Sequence, residues 1–160
     1  VRTDITSFFP NTQHRHIVTA CRQLAGGALS PRAALFVPDL CSYTGGLPIG
    51  APTSPAIGNI VLTETDGILD KVAKRYGIRY TRYADDLTFS GHSRTNRILP
   101  FVQRVLGDLE YRLDHCKTHI VRQGMRQVVT GLVVNQKTNL PPILLNYQGQ
   151  SFQMKQVGLA

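Results

Sequence analysis

Two adjacent carboxylates, Asp85 and Asp86, follow Tyr83-Ala84 in a stretch flanked by β-forming residues. Like charges side by side in a tight turn repel each other, so the pair needs a compensating cation. Mg2+ takes hard oxygen ligands, keeps part of its water shell and bridges to substrate phosphates. Two such ions close together can activate an attacking 3′-hydroxyl and stabilise a leaving pyrophosphate. That chemistry needs a third carboxylate from a neighbouring strand, and Asp4 is the candidate, at the end of the short run Val1 to Ile5. The alternative is a solvated turn and an unrelated acid at position 4. A lone Tyr-x-Asp-Asp does not decide between them.

The elements that must position these acids are legible in outline. Ile78-Arg79-Tyr80-Thr81-Arg82-Tyr83 and Leu87-Thr88-Phe89-Ser90 flank the acidic turn, which is a hairpin signal. Phe8-Phe9-Pro10-Asn11 ends the first strand, and Asn11 or Thr12 is the expected cap of a helix with Ile17, Cys21 and Leu24 on one face. Residues 28–54, dense in glycine and proline near their end, read mostly as loop. From Pro55 a helical stripe runs through Ile57, Ile60, Val61, Ile68 and Val72, with Gly77 as C-terminal cap. A further helix carries Val102, Val105, Leu106, Leu109 and Leu113 in phase, with Pro100 in its first turn. Thr118–Val121 and Gln127–Val134 read as strands. The order predicts an α+β fold, a split βαβ antiparallel sheet of the ferredoxin or RRM-like kind with helices on one face.

Composition sets the class. With 160 residues, 42% hydrophobic and 18% charged, the chain is long enough and apolar enough for one folded domain. No apolar run is long enough to span a membrane. The opening Val1-Arg2-Thr3-Asp4 has neither a leader nor an initiating Met, so a piece of a longer protein is expected. Eighteen Lys and Arg against ten Asp and Glu give +8, concentrated beyond residue 90, where nine bases meet three acids. A polyanionic partner follows, or a plain basic surface. Cys21, Cys41 and Cys116 are odd in number and form no CxxC pair, which argues against a disulfide framework or structural zinc and for a reducing cytosol.

Further blocks join the acidic hairpin in a familiar order. They are Asp4-Ile5-Thr6-Ser7-Phe8-Phe9-Pro10, Gly46-Leu47-Pro48-Ile49-Gly50-Ala51-Pro52-Thr53-Ser54-Pro55 with Asn59, Arg82-Tyr83-Ala84-Asp85-Asp86-Leu87, and Lys117-Thr118. Arg126-Gln127-Val128-Val129-Thr130-Gly131-Leu132-Val133-Val134-Asn135 closes the series. Together they resemble the palm of reverse transcriptases, and the last is similar to a segment typical of bacterial retron-type members. The resemblance covers residues 1–140. Fingers and thumb lie outside it, and residues 141–160 read as a poorly determined tail that does not resemble the usual approach to the thumb.

The resemblance implies an RNA-directed DNA polymerase that adds dNTPs to a primer 3′-OH on an RNA template. Asp4, Asp85 and Asp86 would be catalytic and would hold two Mg2+ ions, with Mn2+ a possible substitute and Ile5 a further ligand through its carbonyl. Phe9 would be a steric gate under the incoming sugar, favouring dNTP over NTP. Pro48, Ile49, Gly50 and Lys117 would attend the nucleotide. Tyr83, Thr53, Ser54, Thr130 and Gly131 would meet template or primer. The implied partners are a structured non-coding RNA template, the DNA product and dNTPs, with an effector protein unspecified and no membrane. The implied setting is the bacterial cytoplasm, and antiviral defence the implied role. Arg94, Arg97, Arg104, Arg112, Arg122 and Arg126 would contact phosphates or face water.

The chain departs from the family pattern at two positions besides the tail. Ile49 stands where the commonest loop has Gln, and so resembles the low-fidelity diversity-generating enzymes, although Thr53-Ser54-Pro55 keeps the retron form. Glu110 replaces a glycine usually found before the lysine block, and reads as a local surface change. Another bacterial reverse transcriptase, diversity-generating or defence-associated, is therefore one alternative. A non-catalytic RNA-binding remnant is another, since split βαβ sheets also serve as RNA platforms.

Overall fold

In the computed structural model, residues 1–92, 94–122, 124–125, 127–129 and 132–133 are described. The chain divides into two units, Val1–Arg122 and Gln123–Ala160. In the first, β1 (Arg2–Asp4) is followed by a single helical turn, α1 (Phe8–Asn11), then α2 (His14–Leu24), α3 (Pro31–Cys41), α4 (Ser54–Val61) and α5 (Thr63–Arg75). The hairpin β2 (Arg79–Tyr83) and β3 (Asp86–Ser90) comes next, then a 3-10 turn (Thr95–Ile98) and α6 (Leu99–Gly107). In the second unit β4 (Val128–Val129) pairs antiparallel with β5 (Leu132–Val133). The single strand expected over 127–134 is thus two short ones. Thr130, Gly131 and residues 134–160, the expected tail among them, lie outside the described residues.

The main sheet has the order β1-β3-β2 and is antiparallel throughout. Register sets its two faces. Arg2 and Thr81 oppose Thr88, and Asp4 and Tyr83 oppose Asp86, so these residues share one face, with Arg79 and Tyr83 exposed on it. The alternate residues Thr3, Leu87, Phe89 and Tyr80 point the other way. There Ile5, Leu87 and Phe89 pack with Leu62, Leu69 and Ala73 around α5 and with Val102 and Leu106 of α6. A second cluster, Ile17, Ala20, Cys21, Ala34, Leu47, Ile57 and Val61, joins α2, α3 and α4. Helices on one face of an antiparallel sheet give the expected α+β architecture.

Several elements differ from the sequence reading, each for a local reason. The stretch read as loop contains α3, which opens with Ser30 Oγ accepting from the Ala33 N–H and with Pro31 in the first turn. The long helix expected from Pro55 breaks at Leu62 (φ −89°, ψ 2°). That break shifts the phase, so α5 buries Thr65, Leu69 and Ala73 while Ile68 is exposed. Gln13 caps α2, in a reciprocal box with His16, instead of Asn11 or Thr12. Those two serve α1: Asn11 Nδ2 donates to the Thr6 carbonyl and Thr12 Oγ1 to that of Phe8. α6 stops at Gly107, and Leu113, expected on that helix, instead bridges Ile5 in an extended run. Of the strand expected over 118–121, only His119 pairs, bridging Arg2. Gly77, with φ 66°, does follow the end of α5 as expected.

Candidate active site

Asp4 and Asp86 face each other across the β1–β3 ladder. Asp85 sits in the hairpin turn, with Ala84 left-handed at φ 51°. The turn is tied to β1 by the Ile5 N–H, which donates to the Asp85 carbonyl at 2.9 Å. Asp4, Asp85 and Asp86 therefore lie at one end of the sheet.

Two cations already answer these charges. Arg2, two residues before Asp4 and so on the same face, grips Asp86 with both ends of its fork, Nε to Oδ1 at 2.7 Å and Nη2 to Oδ2 at 2.5 Å. Asp86 is only 12% exposed, and its carboxylate holds the Arg2 guanidinium above its ordinary pKa. Lys117 Nζ lies 3.3 Å from Asp4 Oδ1, and this contact raises the lysine. Asp4 is raised as well, first by burial and then by Asp85; the exposed lysine opposes the shift without cancelling it.

Lys117 is placed by a turn that Asp114 builds. Asp114 Oδ1 accepts from the N–H groups of Cys116 (2.9 Å) and Lys117 (3.2 Å), and its carbonyl accepts from Thr118 Oγ1 at 2.8 Å. Asp114 N–H in turn donates to the Asp4 carbonyl at 2.8 Å. The lysine block is thus stitched to the strand that carries the first aspartate.

Among the described residues, no three Asp, Glu, His or Cys side chains are gathered closely enough to enclose an ion. Asp86 is drawn to Arg2 and Asp4 to Lys117. The donor set nevertheless fits a hard divalent cation. It offers three carboxylates at one tip, where burial and then the neighbouring Asp85 raise Asp4, and a cation favours the charged form that both oppose.

Phe9, on α1, is half-buried, its ring 5.3 Å from that of Phe8. Gly58 of α4 lies against both rings, and a Cβ there would stand 2.9 Å from Phe8 Cε1 and 3.5 Å from Phe9 Cε1. The glycine-rich loop starts with a tight turn in which Tyr43 and Gly46 exchange backbone hydrogen bonds, Thr44 and Gly45 both having positive φ. Leu47 N–H donates to the Phe9 carbonyl at 3.0 Å, and a Cβ on Gly46 would overlap the Pro10 carbonyl. The loop therefore rests directly on α1.

Beyond that seat Pro48 is half-buried, and Ile49 (79% exposed) and Gly50 project outward. Thr53 is exposed, but Ser54 is buried and gives its hydroxyl to the Pro48 carbonyl at 2.6 Å. Ser54, expected to meet template or primer, is thus turned into the loop, which it fastens. Tyr83 is 72% exposed, on the same sheet face as Asp4 and Asp86.

The sequence reading missed Arg2, Asp114 and the residues beneath the hairpin. Arg82 alternates in phase with Ile78 and Tyr80, which was the available signal that it points inward. It is joined there to Asp66 of α5. Burial, followed by that acid, pushes the Tyr80 phenol well up. Tyr111, fully buried, shares a 2.8 Å hydrogen bond with Thr12 and fixes the approach to the lysine block against α1. Glu110 has φ 61°, a conformation that favours glycine, and its carboxylate pairs with Arg15.

A family model described as reverse transcriptase (RNA-dependent DNA polymerase) matches residues 4–152. The chain is 39% identical over 162 residues to the retron Mx162 reverse transcriptase of Myxococcus xanthus, covering 84% of this chain and 33% of that protein. It is 47% identical over 88 residues to the retron Mx65 reverse transcriptase of the same organism, covering 54% and 21%. With the retron Ec86 reverse transcriptase of Escherichia coli it shares 29% identity over 136 residues, covering 84% and 42%. The chain thus spans well under half the length of these relatives.

Proposed function

The chain belongs to the reverse transcriptase family, and from that premise we propose that the full-length protein is a retron-type RNA-directed DNA polymerase. It extends a primer 3′-OH with dNTPs on a structured non-coding RNA in the bacterial cytoplasm. The observation that carries this reading is the register that sets Asp4 opposite Asp86, with Asp85 in the adjoining turn and Lys117 3.3 Å from Asp4.

Asp4, Asp85 and Asp86 would hold the divalent cations, two Mg2+ with Mn2+ able to substitute, and the Ile5 carbonyl would add a ligand. Bound there, the ions supply positive charge to the attacking 3′-oxygen and the leaving pyrophosphate. The chain's own residues do the rest. Lys117, 61% exposed, is free to turn from Asp4 toward a triphosphate, adding positive charge and a proton donor. The Phe9 ring, held by Phe8 and Gly58, closes the space beneath a sugar and excludes a 2′-hydroxyl. Ile49 and Gly50, projecting from a loop seated on α1, meet the base pair being formed. Thr53 and Tyr83 meet the template–primer from the loop and from the carboxylate face of the sheet. No helix among the described residues is long and apolar enough to cross a membrane.

Primer extension by the full-length protein on an RNA template, with Mg2+ and dNTPs, tests the reading. DNA synthesis that vanishes in an Asp85→Ala, Asp86→Ala double variant is the expected result. RNA binding without synthesis by either protein would favour the RNA-binding remnant.

A further inference from the structure

We infer that Arg82 is a positioning residue for the carboxylate tip, acting through a buried fork onto Asp66 and Asn59. The inference rests on the proposed role of Asp4, Asp85 and Asp86 as ligands of divalent cations. It concerns what holds those groups in place.

Strand alternation turns Arg82 inward, opposite the fully buried Leu87, and only 7% of its side chain is exposed. A guanidinium on an apolar face costs far more than an aliphatic side chain unless every donor is answered. Here all three nitrogens find acceptors, on three separate elements. Nε and Nη2 bind the two oxygens of Asp66 on α5 at 2.9 and 2.6 Å. Nη1 donates to Asn59 Oδ1 on α4 at 2.9 Å and to the Ala84 carbonyl at 2.8 Å. Tyr80 adds its hydroxyl to Asp66 at 2.8 Å, fixing the acid's orientation.

The contact with Ala84 gives this network its purpose. Ala84 is left-handed at φ 51°, unfavourable for any side-chain-bearing residue, so it persists only where its surroundings hold it. Its carbonyl is held by Arg82, and the next carbonyl, that of Asp85, by the Ile5 N–H. The peptide units on both sides of the Asp85 α-carbon are therefore clamped, one from the core and one from β1. The same guanidinium reaches Asn59, in the helix that continues from the glycine-rich loop. A side chain needed only to fill space under the hairpin would be aliphatic. A planar fork that reaches α4, α5 and a strained turn at once sets orientation.

The test compares Arg82→Lys, Asn59→Ala and an Arg82→Met, Asp66→Leu double variant with the unchanged full-length protein. Mn2+ affinity is read by electron paramagnetic resonance, folding by circular dichroism, and the Mg2+ dependence of primer extension alongside. Losses of 10- to 100-fold in metal affinity are usual when a group orienting a ligand is removed. Arg82→Lys, which keeps the charge and loses the fork, is expected to weaken Mn2+ binding about tenfold. It should also raise the Mg2+ needed for half-maximal rate. Asn59→Ala shifts both in the same direction by less. The apolar double variant leaves no buried charge unpaired, so it stays folded while binding Mn2+ as weakly as Arg82→Lys. A folded double variant that binds Mn2+ like the unchanged protein overturns the inference and leaves the metal-site reading standing. If an Asp85→Asn, Asp86→Asn control also binds Mn2+ normally, the site reading itself has failed and takes the inference with it.

Discussion

Among the described residues, four other than glycine have positive φ: Ser7, Thr44, Ala84 and Glu110. Each adjoins a block of the candidate site, between Asp4 and α1, in the glycine-rich loop, at the acidic turn and before the lysine block. Strain of this kind costs on the order of 1–3 kcal/mol per residue and gathers at sites where the chain must aim a group. Glu110 allows a clean measurement, because it is exposed and its ion pair with Arg15 is a surface one, worth at most about 1 kcal/mol. Glu110→Gly removes the left-handed penalty together with the pair. Glu110→Ala removes the pair and keeps the penalty. Chemical denaturation should therefore find the glycine variant more stable than the alanine variant by about 1 kcal/mol; equal stabilities would mean that the backbone relaxes freely here. Read from sequence, Glu110 was a surface substitution. Its backbone angle is one that glycine adopts without the left-handed penalty.

At the scale of elements, the short helix α1 carries the expected sugar gate, and α4 supplies the surface behind it. Gly58 lets α4 approach the Phe8 and Phe9 rings. Phe8 is buried and cannot swing away, so an added methyl group must displace both rings or the helix. Gly58→Ala is expected to destabilise the fold by about 1–3 kcal/mol, despite alanine's better helix propensity. It should also relax the preference for dNTP over NTP, read as the ratio of kcat/KM for the two. An unchanged ratio would dissociate Gly58 from the gate.

The hairpin, the first strand and the helical character of α2, α5 and α6 were legible because each has a period or a cap that local chemistry fixes. The break at Leu62 was not. Val61-Leu62-Thr63 carries no proline or glycine, and the phase change follows from burying Leu62 beneath the sheet while Thr65 and Leu69 take over the stripe. Asp4, Asp85 and Asp86 were candidates from the strand ends and the hairpin signal, and the family resemblance chose between a site and a solvated turn. The contacts of Arg2 and Lys117 with them were not legible, because these cations meet the acids only once the sheet has formed.

For the whole molecule, the carboxylate tip sets function against stability. Burial and Asp85 raise the Asp4 carboxyl, so at a pH between its ordinary value and the raised one the folded protein holds more protons than the unfolded chain. Stability from this group therefore falls as pH rises through that window and stays lower above it. In metal-free protein, Asp4→Asn should raise Tm, and the gap from the unchanged protein should widen from acid toward neutral pH. Mn2+ should then reverse the order. An ion at a hundredfold excess over its Kd adds about 2.7 kcal/mol to a protein that binds it and nothing to one that does not. A Tm gap indifferent to pH would remove Asp4 from the source of the tension.

The seam between α1 and the glycine-rich loop bears on how such a protein can change over generations. The Phe9 carbonyl takes the Leu47 N–H, the Gly45 carbonyl takes the His14 N–H, and Gly46 leaves no room for a Cβ beside Pro10. A gene exchange that brought in a foreign loop without its matching α1 would separate surfaces shaped to each other. The two segments, distant along the chain, are in effect one heritable unit. Shifts in sugar preference and in template reading should therefore travel together through a lineage.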